Sequence, residues 1–364
     1  MSLIHIVGAG PTGGAAAISA LRSGFSVTMS EDHKEIGIPT HCSGLFSRDG
    51  LESLKEFFSY KKLVTNPIHG AVLDFAGEKL TIRTKEPIAY VCDRARLDQE
   101  MVGNAISEGA KINYNERITS IDQLRSNIVI GADGPISKVA QLFNFPKITK
   151  YASTLQGHFK YKSATTDLVE VFLSKDKFPG FFGWIIPHSE TFAEVGVGVE
   201  HPYNVVKALD EILKIAKVER SECKASGAVI PIRVRKKTAM TKTVEGKTYR
   251  VCLVGDAAGQ TKSTTGGGVI FGSNCARFAG KYAENPLRYE IEWKARFAGD
   301  LFIHKNVQAY LEKMNDKQIL SLGKKFKKIG IDQYLSNHGH MDKPSRMIKP
   351  EMLKLLARAP GLLI

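Results

Sequence analysis

Residues 2–31 read SLIHIVGAGPTGGAAAISALRSGFSVTMSE, and this stretch decides the fold. Leu3 to Val7 is a short apolar run suited to a buried parallel strand. Gly8, Gly10 and Gly13 follow in the G-x-G-x-x-G spacing. Gly8 permits the tight turn. Gly10 removes the Cβ that would hold a pyrophosphate off the backbone, and Gly13 lets the next helix pack closely on the strand. Gly14, Ala15, Ala16, Ala17 and Ala20 keep that helix slim, and its N-terminus offers free N–H groups to phosphate. Phe25 to Met29 makes a second strand, closed by Glu31 at the distance from the turn where an acid binds a ribose hydroxyl. The glycines alone would mark only a turn. With strand, helix and acid in order they predict dinucleotide binding, of FAD or NAD rather than NADP, because an acid favours a free 2′-hydroxyl.

The chain has 364 residues, 43% hydrophobic and 24% charged, which is globular composition. Its length predicts two domains, or one core with an inserted module. No run approaches the roughly 20 apolar residues of a membrane span. A core strand at the N-terminus leaves no signal peptide, so a cytoplasmic protein is expected. Net charge is +14. Basic residues gather at Arg233, Arg235, Lys236 and Lys237 and along 305–328, without the interleaved aromatics of a nucleic-acid scaffold. A solvated basic surface is the plainer reading. Peripheral contact with acidic lipid on the inner membrane face is the sharper one, and no nucleic-acid partner is expected. The five cysteines, Cys42, Cys92, Cys223, Cys252 and Cys275, are odd in number and form no C-x-x-C. This argues against a disulfide framework or a zinc site, and no metal is expected.

Further along, residues 32–47 read as a polar loop containing His41, Cys42, Ser43 and Gly44, placed to reach a ligand. Residues 51–62 read as a helix, 70–91 as two or three strands with a turn at Gly77, and 94–108 as a helix capped by Asp93. Ile118 to Ile121 reads as a strand. Ile128 to Ile130 is a buried strand that ends in Gly131-Ala132-Asp133-Gly134. Strand character resumes at 151–173 and 181–199, where Val195, Val197 and Val199 alternate with Gly196 and Gly198, a sign of close contact. A helix is predicted over 203–217 and a strand over 229–234. Tyr249 to Val254 is an apolar strand that ends in Gly255-Asp256. Gly266-Gly267-Gly268 then opens a helix from Val269 to about 284, and 286–364 reads mostly helical. The expected fold is α/β: a Rossmann-type FAD-binding domain (1–70, 88–150 and 245–285), an inserted antiparallel β-sheet substrate domain (71–87 and 151–244), and a C-terminal helical region (286–364).

The ordered motifs at Gly8–Gly14 with Glu31, Arg94 with Asp98, Asp133-Gly134 and Gly255-Asp256 resemble the FAD-binding proteins of the aromatic hydroxylase (p-hydroxybenzoate hydroxylase-like) superfamily. Cys42-Ser43-Gly44, the run Pro179-Gly180-Phe181-Phe182-Gly183-Trp184-Ile185-Ile186-Pro187 and the segment GDAAGQTKSTTGGGV narrow this to the geranylgeranyl reductase family. That family saturates double bonds of isoprenoid chains, including those of archaeal ether lipids. The resemblance covers residues 1 to about 284. It departs at Phe182, where a tyrosine is usual, at Ile186, where an aromatic is usual, and at Ser263, where a proline is usual.

The resemblance implies FAD bound by Gly8, Gly10, Thr12, Gly13, Glu31, Cys42, Ser43, Arg94, Ile118, Asp133, Asp256, Gly267, Gly268 and Val269. N–H groups at the start of the last helix would stabilise charge on a reduced flavin. It implies a polyprenyl substrate against Phe178, Phe181, Phe182 and Trp184, and Cys42 as the first candidate proton donor. His41 alone carries no role. No second nucleotide motif names the electron donor, whether NAD(P)H, ferredoxin or another. The alternative is a FAD monooxygenase of a small apolar or aromatic compound, which shares every flavin motif.

Overall fold

A computed structural model describes residues 1–222 and 225–358. Cys223 and the terminal Leu362 and Leu363 lie outside them. Three sheets organise the described chain. The first has six strands in the order Ala239–Val244, Lys247–Leu253, Ile128–Gly131, Leu3–Val7, Ser26–Ser30 and Lys111–Asn113. All neighbours run parallel except the hairpin Ala239–Val244/Lys247–Leu253. The strand Leu3–Val7 is covered on both faces, which is why it reads as a continuous apolar run.

The helix Pro11–Arg22 packs between the helices Val269–Lys281 and Arg94–Ser107. Small residues make this possible: a Cβ on Gly280 would lie 2.4 Å from the Ala16 carbonyl oxygen. Asp93 accepts the backbone N–H of Arg96 and caps Arg94–Ser107, as the sequence predicts.

The second sheet has seven strands: Ser226–Pro231, Tyr151–Lys160, Phe192–Glu200, Gly183–Pro187, Leu168–Leu173, Gly70–Phe75 and Glu78–Arg83. It is antiparallel save for Leu168–Leu173 beside Gly70–Phe75, which run parallel. One face packs on the amphipathic helix Val205–Ala216 through Val195, Val197, Val199 and Ile185. The third sheet joins Leu45–Ser47, Ala89–Cys92 and Val64–Ile68.

Several local expectations are corrected. Residues 51–62 do not form one helix: Arg48–Ser53 is a short helix and Lys61–Leu63 a single 3-10 turn. Ile118 to Ile121 is no strand; Ile118 is a buried residue packed with Val7 and Val129. The strand expected at 229–234 runs over Ser226–Pro231. Ala239–Val244, hidden in a basic polar run, is a strand of the first sheet.

The C-terminal helices are built into the body. Ser174 and the backbone N–H of Lys175 donate to Asp316 at 2.7 and 2.5 Å, and Gln308 donates to the Gly180 carbonyl at 3.1 Å. These bonds clamp the helices Gly299–Glu312 and Asp316–Ile329 onto the rim of the second sheet.

Candidate functional site

The turn after the first strand has the geometry its glycines require. Gly8 adopts φ +97°, and a Cβ there would lie 2.4 Å from the Ala132 carbonyl oxygen. A Cβ on Gly13 would lie 2.1 Å from the Gly8 oxygen. At Gly10 a Cβ would meet nothing within 4 Å, so the space beside it is open. Gly8 and Gly13 therefore serve the fold, and Gly10 serves whatever fills that space. Thr12 packs against Gly255 and Gly272, joining the first helix to the Gly255-Asp256 turn.

Glu31 closes over the turn. Its Oε2 accepts the Ala9 backbone N–H at 2.8 Å, and its Oε1 lies 2.7 Å from His33 Nδ1. Oε1 also accepts the His33 backbone N–H at 3.1 Å, so Oε2 is the oxygen that keeps a lone pair for a hydroxyl donor.

Arg94 stands where four predicted residues meet. It grips Asp98 through Nε–Oδ1 at 2.8 Å and Nη2–Oδ2 at 2.9 Å. It also faces the Cys42 thiol. Burial alone would lower the Arg94 pKa, but Asp98 and Cys42 hold it above its ordinary value. Asp256 feels the same guanidinium. Burial pushes its carboxyl up to about 6, with Arg94 pulling the other way. A Cβ on Gly268 would come 2.6 Å from Asp256 Oδ1, so that glycine makes room for the carboxylate. Ser43, next to Cys42, accepts the Leu45 N–H at 3.4 Å and lies half-buried.

Two further predicted site residues have partners within the protein. Asp133 accepts Ser137 Oγ at 2.6 Å and the Val139 N–H at 2.9 Å, fixing the start of the helix Lys138–Leu142. Ile118 lies in the core described above.

Gly266 to Gly268 lead into the helix Val269–Lys281, whose N-terminus has no side-chain cap. No side chain takes up its first N–H groups, the kind of donors that suit an anionic group. A Cβ on Gly266 would sit 3.3 Å from the Phe181 ring, so the aromatic wall begins at this turn. Phe181 stacks on Phe182 with centroids 4.4 Å apart, and Phe182 lies 5.6 Å from Trp184. Gly198 and Gly196 explain the alternation in their strand: their missing side chains leave room for Phe181 and Trp184. Phe178 differs from the other three. It is buried beside Ile212 under the helix Val205–Ala216, and it also lines a cleft with Phe181 and Phe182.

Sequence reading missed the C-terminal contribution. Lys262 Nζ pairs with Asp342 Oδ1 at 2.7 Å, and Ser47 donates to the other Asp342 oxygen. Lys262 holds Asp342 below the usual carboxylate range, against the effect of burial. Thr264, in the same turn, lies 2.7 Å from His304 Nδ1; burial and then Lys262 lower the His304 pKa to about 4. Only an unassignable acid in a helical tail could have signalled this pairing.

The cradle at Gly10, the acid over it, the open helix start and the Arg94 cluster fit FAD as a donor set. No family model matches the chain. Digeranylgeranylglycerophospholipid reductase of Methanocaldococcus jannaschii is 26% identical over 360 residues, spanning 88% of this chain and 89% of that protein. The chain resembles the geranylgeranyl reductases. A geranylgeranyl bacteriochlorophyll reductase-like protein from Thermoplasma acidophilum superposes with TM-score 0.77 at 20% identity, over 100% of both chains. An anhydrotetracycline hydroxylase from Streptomyces rimosus superposes with TM-score 0.62 at 16% identity, over 92% of this chain and 74% of its own. These superpositions show a fold shared with a reductase-like protein and with a hydroxylase, so the fold alone does not choose between the two activities.

Proposed function

We propose that the protein is an FAD-dependent oxidoreductase that saturates C=C double bonds in geranylgeranyl or other polyprenyl chains, as in archaeal-type ether lipids. The observation that carries this reading is the contact of Phe181 with the Gly266 turn. It makes an apolar aromatic wall continuous with the open start of the helix Val269–Lys281. The similarity to named lipid reductases over 88% and 96% of this chain supports the same conclusion.

When bound and reduced, FAD supplies a hydride. The chain's own residues do the rest. Glu31 would accept from a ribose hydroxyl, and Gly10 would admit the pyrophosphate to the backbone. Asp256 would accept from the ribityl chain, and the Gly267, Gly268 and Val269 N–H groups would stabilise negative charge at the ring. Phe181, Phe182 and Trp184 exclude water and hold an unactivated alkene in place, which orientation alone makes reactive. Saturation of the alkene would also need a proton at its second carbon. Cys42, beside Arg94, is the candidate to supply it.

The lipid substrate brings the protein to an acidic membrane surface, consistent with the +14 charge. The helix Pro350–Ala357 has no buried residue and exposes Leu353, which gives an apolar foot at the described C-terminus. Among the described residues, no helix is long and apolar enough to cross a membrane.

The test is the visible spectrum and lipid content of the purified protein. A yellow protein carrying polyprenyl lipid is expected. A colourless protein that takes up no FAD on reconstitution would overturn the proposal, and hydroxylation of a small aromatic with oxygen uptake would replace it with the monooxygenase reading.

A further inference from the structure

We propose that His158, His188 and Glu194 form a binding site for one divalent transition-metal ion, with zinc the best match to the ligands. The site lies on the ligand-facing side of the second sheet, behind Trp184.

Three segments build it. His158 on the strand Tyr151–Lys160 is the direct cross-strand partner of Glu194 on the strand Phe192–Glu200. His188 follows the strand Gly183–Pro187 in the hairpin that returns to Phe192, and its N–H donates to the Phe192 carbonyl at 2.9 Å. The hairpin therefore folds the His188 ring back over the register pair. The ligand atoms of all three residues lie within 4.8 Å of one another, and His158 Nε2 stands 3.9 Å from Glu194 Oε2. The two imidazoles meet edge to face at 4.9 Å, and the His158 ring is stacked on Phe192.

Two atoms at the centre point to a missing ligand. Glu194 is 0% exposed. Its Oε1 accepts the Trp184 indole N–H at 2.9 Å, but Oε2 has no hydrogen-bond partner. Nε2 of His188 is likewise buried without a partner. No lysine or arginine among the described residues pairs with this carboxylate. A sealed carboxylate with a vacant oxygen beside a vacant imidazole nitrogen is a costly arrangement by itself. A divalent cation removes the cost, because it needs these atoms, unprotonated and converging.

Two imidazoles and one carboxylate are a borderline donor set suited to zinc, with bonds of about 2.0–2.2 Å. Binding would draw the three ligand atoms in from their present separations, with water as the fourth ligand. The ion would tie two strands and a hairpin together at the sheet end. Glu194 would hold it with Oε2 while Oε1 still orients the Trp184 indole. Metal binding is thereby coupled to the aromatic wall. The sequence gives no cluster signal, since the ligands stand 30 and 6 positions apart.

The test is titration of the full chain, stripped with a chelator, with Zn(II) and Co(II). One ion per chain is expected, with the visible d–d bands of low-coordinate cobalt displaced by zinc. Tryptophan emission should fall with cobalt in the wild type but not in Trp184→Phe. His188→Ala should weaken cobalt binding more than about tenfold. His158→Gln gives a milder check if that variant folds poorly, and FAD uptake reports that the rest of the chain is intact. Absence of cobalt bands in the wild type, or bands unchanged in both folded variants, would overturn the site. Neither result bears on the reductase reading, which concerns the other end of the wall.

Discussion

The ammonium of Lys262 lies 2.7 Å from the carboxylate of Asp342, a residue eighty positions later, with side chains 7% and 5% exposed. This pair fastens the C-terminal region to the turn in front of the helix Val269–Lys281. Ser47 shares Asp342, so the loop that follows Cys42 is held by the same acid. Removing one member strands the other in the interior. Asp342→Ala should cost about 3–5 kcal/mol. The double variant Lys262→Met/Asp342→Leu should recover most of it, as read from denaturant midpoints.

The glycines of the first turn should separate folding from cofactor binding. Gly10→Ala places its methyl in open space, so the FAD-free protein should keep its stability to within about 1 kcal/mol. Its FAD affinity should nevertheless fall. Gly13→Ala meets the Gly8 carbonyl and should be hard to fold at all. Calorimetry with and without FAD distinguishes the two. Loss of Gly10→Ala stability without FAD would show that the open space is needed by the protein itself.

Glu31→Ala should weaken FAD binding by about 1–3 kcal/mol, since a ribose hydroxyl loses a charged acceptor. Part of the change will come from the Ala9 N–H, which loses its 2.8 Å bond. Glu31→Gln retains an acceptor there and should fall between the two. Fluorescence titration of FAD gives all three constants.

His5 predicts acid sensitivity. Its Nδ1 accepts the Arg125 N–H at 3.1 Å, so Nε2 carries the proton and donates to Ser30 Oγ at 2.7 Å. Burial, and then Arg125, lower its pKa from 6.5 to about 4. Between these values the unfolded chain binds more protons than the folded one, so stability falls as pH drops through that window. The full loss from this group is about 3 kcal/mol below pH 4. His5→Gln should flatten the stability–pH curve between pH 6.5 and 4. An unchanged curve would remove His5 from the account.

The fold was legible where function sits in contiguous residues. Gly8 to Gly13 with Glu31, Asp93 as a cap, and Gly196 and Gly198 as close-contact positions each carry a local steric reason that survives without coordinates. What stayed hidden depends on distant partners. Asp133 reads as a ligand residue, and nothing local shows that it also accepts from Ser137 and Val139 at a helix start. Phe178 looked like its aromatic neighbours, but Gly183 and Ile212 receive it on the opposite face of the sheet. Ala239–Val244 has the polar composition of an edge strand and reads as a loop. Asp342 could not be connected with Lys262 because nothing local marks either as paired.

The most direct test of the central claim is single-turnover oxidation of the dithionite-reduced, FAD-loaded protein by a geranylgeranyl lipid without oxygen. Flavin absorbance is followed together with product mass. The account predicts reoxidation with the lipid gaining hydrogens in steps of two. It also predicts that Cys42→Ser, reduced equally well by dithionite, reoxidises more slowly, because a hydroxyl is a far weaker acid than a thiol. Equal rates for the two proteins would move the proton donor elsewhere. A wild-type flavin that stays reduced with every polyprenyl lipid would contradict the account.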